Sequence, residues 1–456
     1  MFSAFQTFGK LGALASSVAR AWSPLALWPD GISSAGMWIS PQALSASWAD
    51  YTGTTPVATP GTVADSSNPV GLALDIRAGA TVLTDPGLHM LQSTSAARPL
   101  LSARVNLLTN TSRCDLLYPT VVNGTVTSQV GTAPDGSLMA LFAESATTGE
   151  HLWYGATNTW ITGLRYTFST YIKPNGRTFV RLNASALSAL EVFFNLSTGE
   201  TRLNYGGGVD PVFTWEQLSD GIVRISASAI CSATGSIGAP FVQPATSLTV
   251  VNYAGDGVSG FYQWGAQINL GSTALPYQRV NTASDYDASA GPTYQKYDGV
   301  DDSMATAAFA AGTLINGMDC MIAVRRDSAA SCVAGLYNGI ADATKFFGMA
   351  ESASGSGCVG SGAGTPTVWV DNTQLTGGTA VTRGTLHTAL TVGDWHILEF
   401  RNLDLSTWTA SGFGLYTSYV FPGPRGDILL YPSTDPTEDK DAARQWLADY
   451  YGVTLP

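Results

Sequence analysis

The stretch "FYQWGAQINL", Phe261 to Leu270, decides the fold class. In an extended chain Tyr262, Trp264, Ala266, Ile268 and Leu270 fall on one side, and Gln263, Gln267 and Asn269 on the other. Alternation with period two is the mark of a half-buried antiparallel strand. The same pattern recurs upstream. "YTFSTYIK" puts Tyr166, Phe168, Thr170 and Ile172 on one face, and "VRISASA" puts Val223, Ile225, Ala227 and Ala229 inward. Between these runs, "KPNG", "NYGGG" and "AGDG" supply residues suited to tight turns. Many short strands separated by turns predict a β-sandwich over residues 100–285. Residues 290–430 repeat the style in "CMIAVRR", "TVWV", "WHILEF" and "GDILLYP". The expected fold class is all-β.

Composition narrows the function classes. Charged residues make up only 12% of the 456 positions and hydrophobic residues 45%, a composition that builds cores rather than disordered tails. The net charge of -12 lacks the basic footprint that nucleic acid requires. No run of about 18 apolar residues exists, so no membrane span is expected. Five cysteines, Cys114, Cys231, Cys320, Cys332 and Cys358, show no paired spacing. They read as small buried hydrophobes, with room for one bridge among the last three.

The two ends read as helices. Phe2, Phe5, Phe8, Leu11, Leu14 and Val18 recur at helical spacing, with Pro24 as the stop. No cations precede the apolar part of this segment, the reverse of a secretory signal. An amphipathic helix showing so much Phe needs a partner: its own domain, or a docking surface on another protein or a symmetry mate. At the other end, "DPTEDKDAARQWLADYYG" places Asp435 as N-cap, Pro436 at the first helical position and Glu438 in a capping box. Ala443, Trp446, Leu447, Tyr450 and Tyr451 form its apolar stripe, and Gly452 closes it.

The stretch "YQKYDGVDDSM" carries Asp298, Asp301 and Asp302 within five residues. Adjacent acids on a strand point to opposite faces, unlike the facing pair of a glycosidase. A calcium loop needs more oxygen ligands at regular spacing. Gly299 suits a turn, which is the leading reading, with a metal ligand or catalysis behind it. None of the four histidines neighbours a nucleophile elbow. No catalytic residue, metal ligand or cofactor is expected.

"YQKYDGVDDSM" resembles the "FDGVDDY" strand entry of laminin G-like, concanavalin A-like lectin sandwiches. The closing "GDILLYPSTDPTEDKDAARQWLADYYGVTLP" is similar to the last strand and helix of such domains in phage and prophage proteins. "ISPQALSASWADYTGTTPV", "LQSTSAARPLLSARVNLLTNTS" and "GFYQWGAQINLGSTALPYQRVNTASDYD" resemble segments of phage tail-fibre-type proteins. Together these cover most of the chain beyond residue 36. The loop "IRAGATVLTDPGLHMLQ" departs from the family's usual sequence, and the N-terminal helix has no counterpart.

The order of these motifs implies a split domain. Residues 36–103 and 287–456 would form a lectin-like, jelly-roll sandwich, residues 104–286 an inserted sandwich resembling carbohydrate-binding modules, and residues 1–35 a docking or oligomerisation segment. The resemblance implies a virion protein of tail-fibre, receptor-binding type that recognises host cell-surface glycan without cleaving it. It implies partners among other virion proteins, held through Phe2, Phe5, Phe8 and Leu11, and a homotrimer. The rivals are a purely architectural head, neck or decoration protein and a polysaccharide depolymerase. For glycan stacking the candidates are Trp153, Tyr154 and Trp160 in "EHLWYGATNTWITG", and Tyr205 in "NYGGG", because nothing in those polar segments forces burial. Trp264, Trp395 and Trp446 read as core.

Overall fold

The computed structural model describes residues 23–456 except 29, 31–32, 61–67, 78, 206–209, 283, 339–341, 377–379 and the side chain of Tyr205. The anchor residues Phe2, Phe5, Phe8 and Leu11 lie outside the described residues. The chain is mostly strand, arranged in antiparallel sheets that form sandwich-like domains, with one long helix at the C-terminal end.

In the middle of the chain, a six-stranded sheet runs in the order Val212–Gln217, Val223–Ile230, Arg165–Asn175, Gly260–Leu270, Leu138–Glu144 and Gly124–Thr132. Facing it is a four-stranded sheet in the order Thr201–Tyr205, Leu190–Asn195, Phe179–Ala184 and Phe241–Ala245. The alternating residues meet between them. Phe142, Phe168, Ile172, Ile225 and Ile268 from one sheet pack on Val180, Leu182, Val192 and Phe194 from the other. Each such side chain contributes about 1.5–3 kcal/mol by leaving water.

One strand breaks its own period. Tyr262 and Trp264 do not share a face with Ala266 and Ile268. Trp264 packs with Tyr171 and Met139 on the opposite side of the sheet. The register explains this: Ser169 pairs with Gln267 but Tyr171 pairs with Trp264, so the Gly260–Leu270 strand carries an extra residue. Gly265 sits at this bulge with φ +65°, a conformation glycine adopts without strain.

Beside that apolar cluster, the centre of the outer face of the six-stranded sheet is polar and covered. Thr167, Ser169, Ser226, Ser228, Gln267 and Asn269 are all buried. Residues 271–278 lie over them. Gln267 Nε2 donates to Leu275 O at 3.0 Å, Asn269 Nδ2 to Thr273 O at 2.9 Å, and Arg224 to both Leu275 O and Ser169 Oγ.

The flanking segments build the second pair of sheets. Met37–Ile39 pairs along Pro422–Pro432, and Leu100–Ser102 pairs along Tyr294–Asp298. With Asn316–Arg325, Trp395–Asp404, Thr367–Val370 and Thr373–Gln374 these make one eight-stranded sheet. A five-stranded sheet opposes it, joining Ser47–Trp48, Leu72–Ala73 and Met90–Leu91 to Met304–Thr306 and Gly412–Phe413. Met37, Ile39, Leu101, Cys320, Ile322, Leu398, Phe400 and Ile428 fill the space between. All five cysteines are buried and free, so Cys320, Cys332 and Cys358 share a core without a bridge.

The helix Thr437–Tyr451 covers the other face of the eight-stranded sheet. Ala443, Leu447 and Tyr451 pack on Met321, Ala323, Ile397, Leu429 and Tyr431, and Leu27 and Trp28 join them. The helix begins one residue later than its sequence suggests. Pro436 occupies the cap position, with no side-chain capping bond. Asp435 is instead turned inward, where burial raises its carboxyl to about 6. Arg444, nominally on the polar side, is buried and forks onto Glu399 at 3.0 and 3.1 Å.

Where the chain enters and leaves the middle segment, two buried amides hold it. Gln278 Oε1 accepts from Val105 N at 2.7 Å and Asn106 N at 3.0 Å, and its Nε2 donates to Ala103 O at 2.8 Å and Asp287 O at 2.9 Å. Asn106 Oδ1 accepts from Leu108 N and Ile268 N, both at 3.1 Å, and its Nδ2 donates to Ala266 O and Gln278 O. Each amide uses its full donor and acceptor capacity. Gln278→Leu would strand four backbone groups at once. It is expected to cost about 3–5 kcal/mol in denaturant unfolding, against about 0.5 or less for Gln374→Leu on an exposed strand. A loss for Gln278→Leu no larger than that of the control would show that this amide does not fasten the junction.

Candidate functional site

Strands Phe179–Ala184, Leu190–Asn195 and Phe241–Ala245 send alternate residues away from the core. Val180, Leu182, Val192 and Val242 point in, so Arg181, Asn183, Glu191, Phe193, Phe241 and Gln243 occupy the outer face. Cross-strand register sets them side by side. Arg181 lies opposite Phe193 and Gln243, and Asn183 lies opposite Glu191 and Phe241. Asn204 arrives from the neighbouring strand, where a bulge at Glu191/Val192 shifts the register.

The result is a lattice of planar polar groups. Arg181 Nη1 donates to Glu191 Oε1 at 3.1 Å, and its Nη2 to Gln243 Oε1 at 2.8 Å. Asn183 Nδ2 and Asn204 Nδ2 donate to the two oxygens of Glu191 at 3.1 and 3.0 Å. Glu150 closes the ring, 3.4 Å from Arg181 Nη2. Its place depends on a second cluster. Glu144, almost wholly buried, accepts from Arg177, from the Tyr253 hydroxyl at 2.7 Å and from Asp256 N at 3.0 Å. Tyr253 lies on Asn252–Ala254, which pairs with Thr148–Glu150 and so carries Glu150 to Arg181.

The floor of this face is buried and its edge is exposed. Arg181, Phe193 and Gln243 are covered, whereas Arg202, Asn204 and Tyr154 are exposed. Two floor donors, Arg181 Nε and Gln243 Nε2, have no hydrogen-bond partner among the described residues. Buried polar atoms in folded proteins are almost always paired, so both are short of an acceptor. Tyr154 rests against Phe241 with ring centroids 5.7 Å apart.

The aromatic candidates divide. Trp153 and Trp160 are core residues, 1% and 0% exposed. Trp153 packs on Tyr118 and Phe142, and Trp160 on Tyr166. Their strands Leu152–Tyr154 and Thr157–Trp160 pair with Thr120–Val122 and Gly235–Gly238, which turns every second residue inward. Neither ring can stack on a ligand from solvent. Tyr154 is the exposed neighbour in the same alternation. Tyr205 closes the strand Thr201–Tyr205 at the edge of the candidate face, opposite Glu191. Arg181, Asn183, Glu191 and Gln243 were not picked out from sequence. Their alternation with Val180, Leu182, Val192 and Val242 marks them only as outward-facing.

The three aspartates also come together. Asp298, Asp301 and Asp302 each offer a carboxylate oxygen, all within 4.8 Å of one another, an oxygen set suited to a hard cation. Their hydrogen bonds close a turn. Asp298 Oδ1 accepts from Val300 N at 2.7 Å and Asp301 N at 3.3 Å, and Asp302 Oδ2 accepts from Asp298 N at 2.8 Å. Burial, opposed by that bond and reinforced by the two neighbouring carboxylates, raises Asp302 to about 6.

No protein-family model and no curated protein matches the chain. Among solved structures, the N-terminal CBM22-1-CBM22-2 tandem domain of Xyn10C from Paenibacillus barcinonensis matches at 11% identity and a TM-score of 0.23, covering 72% of this chain and 98% of that one. A superposition that loose carries no argument about ancestry or ligand.

Asp302 gives this region a pH signature. Its folded pKa of about 6 stands above an unfolded value of about 3.9, so between the two the folded chain holds a proton that the unfolded chain has released. Stability should therefore fall as pH rises from about 4 to 6, by about 1–3 kcal/mol for this group. Asp302→Asn keeps an acceptor for Asp298 N and removes the charge. The variant should be more stable than the parent at pH 7.5 and equal to it near pH 4. Thermal melts across that range check this, and equal differences at both pH values would contradict it.

Proposed function

We propose that the chain is a non-catalytic glycan-binding protein of a phage particle, and that the outer face of the four-stranded sheet is its binding surface. The observation that carries the glycan reading is the Arg181–Glu191–Asn183–Asn204–Gln243 lattice. Sugars present neighbouring hydroxyls that both donate and accept. Amides, carboxylates and guanidinium groups held side by side on one sheet face answer them in pairs. An exposed Tyr154 at the rim completes the chemistry, since sugar C–H faces lie against aromatic rings.

The acids on this face favour binding over cleavage. Glu150 and Glu191 both point at Arg181, 3.4 and 3.1 Å from its nitrogens. A hydrolase needs one acid kept protonated and the other free to act as base or nucleophile. Here both acids are tied to one guanidinium, which leaves neither of them free for that role.

The virion reading rests on the sequence motifs, as does the division into a lectin-like domain, 36–103 with 287–456, interrupted by 104–286. Several copies on one particle would raise avidity by about 10²–10⁴ over single-site binding. In this reading residues 1–24 attach the protein, as a trimer, to its neighbours in the particle. Deleting them should leave the unfolding midpoint unchanged and abolish incorporation into particles. Truncated protein recovered in particles at normal copy number would remove the anchor.

For the glycan site, the double variant Asn183→Ala, Asn204→Ala removes two rim amides without touching the core. The parent protein should retard in gels cast with host surface polysaccharide. The double variant should bind at least about tenfold more weakly, a loss of about 1.4 kcal/mol, with its melting temperature within a few degrees of the parent. Equal retardation of the two proteins would move the site elsewhere. Release of reducing ends would make the chain an enzyme, and no retardation at all would favour a purely architectural role.

A further inference from the structure

A cleft of about 270 Å³ lies between the middle segment and the eight-stranded sheet. Arg104, Asn158 and Thr159 line it from one side, and Tyr294, Lys296, Arg325 and Asp327 from the other. It is separate from the polar lattice on the four-stranded sheet. We propose that this cleft binds the carboxylate of an acidic sugar residue of hexuronate type.

Charge is the first argument. The chain carries a net charge of -12, yet this cleft gathers three cations against one carboxylate. A cleft with an excess of positive charge concentrates the field, so anions are drawn to it.

The second argument is that Arg104 and Lys296 have no ion-pair partner among the described residues, while Arg325 is paired with Asp327 through Nε alone. Arg104 donates through Nε to Asn106 O at 2.9 Å and through Nη2 to Leu107 O at 3.2 Å and Leu108 O at 3.3 Å. Backbone carbonyls hold it in place without cancelling its charge. Arg325, 9% exposed, gives Nε to Asp327 Oδ1 at 3.0 Å. Its guanidinium lies 5.9 Å from the Tyr294 ring and 5.7 Å from the Trp395 ring. The rings set the plane of the fork, and a planar fork is matched to a carboxylate. Lys296 points from the outer side of its strand and has no ion-pair partner among the described residues.

Size and the remaining groups select the class of anion. The volume suits one monosaccharide rather than an extended chain. The Asn158 amide and the Thr159 hydroxyl add neutral partners suited to sugar hydroxyls.

The test is a titration of the full chain with sodium glucuronate, glucose and inorganic phosphate at one ionic strength, followed by calorimetry. Glucuronate should saturate at low millimolar concentration, with glucose and phosphate at least about tenfold weaker. Lys296→Gln lies on the surface and should weaken glucuronate by about tenfold, while Lys296→Arg restores it. The double variant Asn183→Ala, Asn204→Ala should bind glucuronate as the parent does, which separates this cleft from the sheet-face site. No saturation by about 50 mM, glucose binding as well as glucuronate, or an unaffected Lys296→Gln would each overturn the proposal. Tighter binding of phosphate would overturn the carboxylate assignment.

Discussion

Everything in this chain depends on fastening two distant crossings to each other. The backbone passes from the eight-stranded sheet into the middle sandwich near residue 103 and returns near residue 287. An open crossing of that kind leaves backbone N–H and C=O groups facing neither a sheet partner nor water, at about 1–3 kcal/mol each. Gln278 answers four of them with one amide, and Asn106 answers four groups with another. The Tyr286 hydroxyl, 3.3 Å from Ala103 N, sits beside the same crossing. With the crossing fixed, the middle sandwich lies against the eight-stranded sheet, and the cleft between Arg104 and Arg325 exists.

The same economy of polar groups explains which faces are open. The six-stranded sheet buries its polar outer face under its own chain, residues 271–278, which then delivers Gln278 to the crossing. The four-stranded sheet has Glu150 reaching over it from a short two-stranded ribbon, pinned through Glu144, Arg177 and Tyr253. Its floor is satisfied only in part. The second face is the one read as a site because Asn204 and Tyr154 at its rim stay exposed, whereas the polar part of the first lies under residues 271–278.

Much of the architecture was legible in the sequence because alternation is a local property. Val223, Ile225, Ala227 and Ala229 point into the core as their spacing requires, and Ala443, Leu447 and Tyr451 do so on the C-terminal helix. The misreadings arise where a distant element intervenes. The bulge at Gly265 reverses the faces of Tyr262 and Trp264, and only the register against Ser169 and Tyr171 reveals it. Trp153 and Trp160 look free in a polar segment, but strands remote in sequence pair with theirs and turn both rings inward. The candidate site was hidden for the same reason. Arg181 and Gln243 stand 62 positions apart, and nothing in either neighbourhood announces the other.

The central claim is that glycan contacts the outer face of the four-stranded sheet. Hydrogen–deuterium exchange of the intact protein, with and without host surface polysaccharide, tests it most directly. The account predicts slowed exchange in Phe179–Ala184, Leu190–Asn195 and Thr148–Tyr154, and unchanged exchange in the closed loop 271–278. Protection absent from those strands while the polysaccharide is bound would contradict it.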